Sequence, residues 1–87
     1  MKLSSNRDLY EYLVRLASEL EGRLEALSRS LAAAARTRSV IPATEFLGES
    51  RIVLRRVLAE ENGILSQIER ETLQDMLREV DATFDRR

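Results

Sequence analysis

The sequence predicts an all-α fold: an antiparallel bundle of three helices, or four if the first breaks at Gly22. Three observations carry this. Apolar residues recur at spacings of three and four along nearly the whole chain, the mark of helices with one buried face. No segment alternates apolar and polar residues as a half-buried strand does. One proline and three glycines leave few places where a helix can end. The chain of 87 residues makes a single domain. A domain this small buries only about 60% of its unfolded surface, and dimerisation is a common way to extend such a core.

The first helix is expected over about 5–36. Ser5 can cap the N–H of Asp8, and Asp8 can reach back as the short version of a capping box. Leucines at 9, 13, 16 and 20 each recur eleven positions later, at 20, 24, 27 and 31. Eleven residues over three turns keeps the stripe almost straight, and its phase survives Gly22. That favours one continuous helix, about 46 Å long at 1.5 Å per residue. Such a length exceeds what a monomer of this size needs, so continuity itself would favour a dimer. The alternative is Gly22 as the left-handed residue that ends one helix before a second begins. Small side chains in Ala32-Ala33-Ala34-Ala35 allow close helix approach, although alanine is also the strongest helix former.

"RTRSVIP" closes this segment. Its β-branched Thr37, Val40 and Ile41 suit extended chain, and Pro42 biases Ile41 away from helix. Thr44 is the expected N-cap of a second helix over about 44–62, with Glu45 on the positive end of its dipole. Phe46, Leu47, Val53, Leu54, Val57 and Leu58 form its apolar stripe, with Ser50 inside it. Asn62-Gly63 ends the helix, with Gly63 left-handed and Ile64 covering Leu58. Ser66 and Glu69 form a capping box opening a last helix over about 66–85. There Ile68, Thr72, Met76, Val80 and Phe84 stand four apart beside Leu73 and Leu77, a row that crosses its neighbours obliquely.

Composition narrows the chemistry. The chain has no cysteine, histidine or tryptophan, which removes disulfides, thiolates and imidazole or thiolate metal ligands. It has no P-loop, and its one lysine, Lys2, lies in the expected N-terminal tail. No catalytic residue, cofactor, metal or small-molecule substrate is expected. There is no secretory signal and no apolar run near membrane-spanning length, so the expected location is cytoplasmic. Thirteen of the fourteen basic residues are arginine, which with abundant alanine and leucine points to a bacterial source. Residues 1–44 carry seven basic and five acidic side chains, and residues 45–87 carry seven and ten. Neither half is basic enough to attract nucleic acid by bulk charge.

Five surface features are candidates for function. The turn and helix over 58–73 have the outline of a helix-turn-helix, with Ala59, Gly63 and Ile64 suitably placed. Asn62 and Glu69 occupy its inward positions, however, and acidic residues follow, so a helical corner fits better than a DNA reader. Arg36, Arg38, Arg51, Arg55 and Arg56 make an arginine set that could bind phosphate, RNA or an acidic partner, but no aromatic residues interleave to stack bases. Glu71, Asp75 and Glu79 form an acidic row at i,i+4 on the last helix. Opposite Arg51 and Arg55 across a hairpin, this row would form a charge zipper in which Arg55 matches Glu71 and Arg51 matches Asp75. A basic partner is an alternative, and weak Ca²⁺ or Mg²⁺ binding a poorer one, because one-face carboxylates lack loop carbonyls. Ile52 lies opposite its helix's apolar stripe, flanked by Glu45, Arg55 and Arg56, where beside arginines it resembles an interface anchor. Tyr10 and Tyr12 cannot both face one core stripe, which leaves a tyrosine for a partner. These features predict a non-enzymatic protein–protein interaction module, a small bacterial regulatory or adaptor protein acting as a homodimer. The partner is a second copy or another protein. The alternative is a nucleic-acid-associated regulator using the arginine set.

Overall fold

The first leucine stripe serves two helices, not one. The structure, a computed structural model, describes residues 6–85, with Phe84 through its backbone alone. Helix α1 spans Asn6–Leu20 and α2 spans Glu25–Arg36. A 3-10 turn over Thr37–Ser39 follows, then α3 over Ala43–Glu60 and α4 over Gln67–Asp85. Each of the four helices is antiparallel to the next. The expected cap at Ser5 lies outside the described residues.

The continuous first helix is therefore corrected to a break at Gly22. Gly22 sits at φ +82, a conformation that glycine adopts at little cost. The carbonyl of Leu20 accepts both Arg23 N–H at 2.9 Å and Leu24 N–H at 2.8 Å, which closes the helix. The Gly22 N–H donates to the Glu25 carboxylate in the first turn of α2. The described chain measures 33 × 24 × 18 Å, too short for a 46 Å rod. Folded back, both halves of the stripe face one core: Leu9, Leu13, Leu16 and Leu20 from α1, Leu27 and Leu31 from α2. An eleven-residue repeat satisfies either arrangement, because it fixes the azimuth of a stripe and not its continuity.

Two local expectations also change. Residues 37–39 are not extended; the Thr37 carbonyl accepts both Val40 and Ile41 N–H at 3.0 Å, so the chain tightens into a 3-10 turn. Thr44 is not the N-cap of α3. The cap lies two residues earlier, at Pro42 with φ −58, and α3 begins at Ala43. Its fixed φ and missing N–H make proline well suited to a helix start. The α3 stripe is as expected, with Phe46, Leu47, Leu54 and Val57 fully buried. Leu73, Met76 and Val80 of α4 join them, whereas Ile68 stands 77% exposed because the four-residue row drifts off the core at its first turn.

The corner between α3 and α4 is more built than a glycine turn. Asn62 at φ 53 and Gly63 at φ +84 are both left-handed, and Ile64 N–H donates to the Glu61 carbonyl at 3.0 Å. That is the pattern of a type I′ turn, for which Asn-Gly is the preferred pair. Leu65, not Ile64, enters the core; Ile64 remains 45% exposed. The Ser66–Glu69 capping box is formed in both directions, at 3.1 Å to the Ser66 hydroxyl and 2.8 Å to the Glu69 carboxylate. Glu61 is buried and accepts from the N–H groups of Gly63 and Leu65 and from the Arg70 guanidinium at 2.9 Å. Arg23, from the other corner, donates to both Glu69 carboxylate oxygens and to the Ile64 carbonyl at 2.7 Å. The α1–α2 and α3–α4 corners are thus tied together at one end of the bundle, and the 37–42 connection lies at the other.

Candidate functional site

The arginine set does not assemble into one patch. Arg51 and Arg55 project from α3 onto Asp81 of α4, at 3.5 and 3.2 Å. Arg56 pairs with Glu60 at 3.0 Å and donates to Ser30 of α2 at 3.2 Å. The expected zipper with Glu71 and Asp75 is corrected by this register. Residues 61–66 leave the helical path before α4 turns back, so α4 is displaced along α3 and a later acid meets the arginines. In the acidic row, Glu71 accepts from Gln67 at 3.1 Å and Asp75 pairs with Arg78 one turn on. Glu79 is half-buried, and its carbonyl accepts from Thr83. Among the described residues no three acidic side chains converge to share a cation.

Ile52 is 63% exposed on the outer side of α3, as its wheel position requires. Its arginine neighbours are drawn to α4, Glu60 and Ser30. The tyrosines divide. Tyr12 is in the core, so it is not a surface anchor. Burial, and after it the Glu19 carboxylate, pushes its phenol above the ordinary range. It forms part of a small cleft of about 140 Å³ between α1 and α4, beside Leu16, Ile68 and Glu69. Tyr10 is half-buried and turns to the opposite side of α1.

That side holds a surface the helical stripes did not single out: the outer groove between α1 and α2. Ala17, Ser28, Ala32 and Ala35 are too small to fill the space where the helices meet, and a trough of about 320 Å³ remains. Ser28 is buried, and its hydroxyl donates to the Ala17 carbonyl at 2.7 Å, pinning the two helices at the floor. Val14, 45% exposed, stands in the trough, with Tyr10 at one end and Glu21 at the other. The space continues past Tyr10 into a depression bounded by Arg36, Arg38 and Ser39. The Arg38 guanidinium lies 5.3 Å from the centre of the Tyr10 ring, a cation–π contact. The signal in the sequence was present but quiet. Ala32 and Ala35 were visible as close-approach residues, but Val14, Ala17 and Ser28 acquire their role only once the chain folds back at Gly22.

The groove has a basic and an acidic end. Among the described residues Arg36 and Arg38 have no acidic partner, and Glu21 has no basic one. Arginines at the end of α2 and Glu25 at its start suit the helix dipole. The dipole explains their sign but leaves the guanidinium donors open for another carboxylate. Compared with protein families, characterised proteins and solved structures, the chain matches none.

Proposed function

We propose that this protein is a non-enzymatic interaction module that works as a homodimer, in the manner of a small regulatory or adaptor protein. One observation carries the reading: the α1–α2 groove, an apolar trough that neither α3 nor α4 covers. Its floor of alanine and serine lets another helix approach closely, Val14 offers apolar area at its centre and Tyr10 at one end. Central apolar anchors in a polar rim are how protein interfaces concentrate their affinity. A core this small gains from a second copy.

The nucleic-acid reading has less support. Three of its five arginines, Arg51, Arg55 and Arg56, spend their charge on Asp81 and Glu60. The last helix turns Gln67, Glu71 and Gln74 outward, and acids beside phosphates repel. Light scattering across protein concentration tests the preferred reading; a mass that rises to twice that of the chain is expected, and a constant single-chain mass contradicts it. Salt separates the two readings. Binding to nucleic acid would fall by orders of magnitude from low to high salt, whereas helix association would change by only a few-fold.

A further inference from the structure

We infer that the second copy sits on the α1–α2 groove, antiparallel, about a two-fold axis that crosses the helices of the hairpin. This rests on the homodimer reading and adds the surface and the symmetry. Charge complementarity sets this arrangement. The groove ends in Arg36 and Arg38 on one side and in Glu21 on the other, with Glu25 close by at the start of α2. A closed pair of identical chains must use the same patch on both. A two-fold axis parallel to the helices lays arginines on arginines and glutamates on glutamates. An axis across them reverses the second copy and lays each basic end on an acidic end, twice.

Spacing along α1 agrees. Tyr10 and Glu21 are eleven residues apart, about 16 Å at 1.5 Å per residue, and the groove spans that distance. Its midpoint falls between Arg15 and Leu16, so Val14 of one copy comes opposite Ala17 of the other. A large residue then meets a small one at the centre, which permits close packing. Glu21 and Arg36 have no partner among the described residues, so neither must give up an internal pair to bind. Arg38 keeps its place over Tyr10 and closes the basic end.

The test is a charge swap read by sedimentation equilibrium, with circular dichroism to check folding. Glu21→Arg and the double variant Arg36→Glu, Arg38→Glu alter exposed side chains and leave the helical signal unchanged. Each alone sets like charges against like at both ends and weakens self-association by about tenfold or more. Mixed in equal amounts, the two variants regain the dimer mass, because every end again meets its opposite. Variants that dimerise as the wild type does overturn the inference and leave the homodimer reading standing; loss of association in Ile52→Arg would then move the interface to α3. Weakened variants that are not rescued by mixing overturn the antiparallel pairing. A wild type that stays monomeric overturns both the inference and the reading beneath it.

Discussion

Ser50 shows how a single side chain can work against its surroundings. It is fully buried among the apolar residues of α3, and its hydroxyl finds no hydrogen-bond partner among the described residues. A buried unpaired hydroxyl costs about 1–3 kcal/mol, and alanine is the better helix former. Ser50→Ala should therefore raise unfolding stability by about 1 kcal/mol in urea titration; a destabilised variant would mean the hydroxyl is bonded after all. Glu61 and Glu69 show the reverse. The Arg70 guanidinium, with the N–H groups of Leu65 and Gly63, holds the Glu61 carboxyl down to about 2. The Arg23 guanidinium, with the Ser66 N–H, does the same for Glu69, also to about 2. Both lie below the ordinary value of 4.5, so the unfolded chain takes up protons first as pH falls. The stability is complete above roughly pH 5 and is lost progressively towards pH 2. The melting temperature should fall over that window, and fall less steeply in Glu61→Gln and Glu69→Gln; an equally steep fall in these variants would remove both carboxylates from the acid transition. Of these residues only Glu69 announced its role in the sequence, through the spacing of the capping box. Glu61, Arg70 and Arg23 gave no local signal, because their partners are brought near by tertiary turns.

The elements were legible where the chemistry is local. The α3 stripe and the end of α2 at Arg36 follow from the residues nearby. The break at Gly22 did not, because a leucine stripe in constant phase serves a straight helix and a hairpin equally well. What decides is the φ of one residue together with the Arg23–Glu69 contact, which exists only when the hairpin forms. Gly22→Ala tests that decision. A Cβ there would meet nothing within 4 Å, so any effect comes from the backbone alone. The left-handed conformation costs an L-residue about 1–2 kcal/mol, and urea unfolding should show a loss of that size. An unchanged stability would indicate that the corner tolerates another conformation. The register of α4 was illegible for a related reason. Counting from Gly63 assumes a tight pivot, whereas residues 61–66 carry the chain past the end of α3 and bring Asp81, not Glu71, to Arg55.

At the scale of the whole molecule, two helical hairpins joined through Arg23, Glu69 and Ile64 enclose one leucine-rich core, and the first hairpin keeps its outer side open. The all-α architecture follows from periodicity alone. The location of the open groove does not, because it is made by what small residues fail to fill. A substitution at its centre separates folding from association. Val14→Arg places a charge at a 45% exposed position, so the melting temperature should move little while self-association weakens by about tenfold or more. A variant that associates unchanged would put the contact elsewhere. Self-association is the property on which the groove's role depends, and sedimentation equilibrium of the wild-type protein measures it directly. The expected mass at high concentration is twice the 10.0 kDa of one chain, falling towards a single chain on dilution. A mass of 10.0 kDa at every concentration would contradict it.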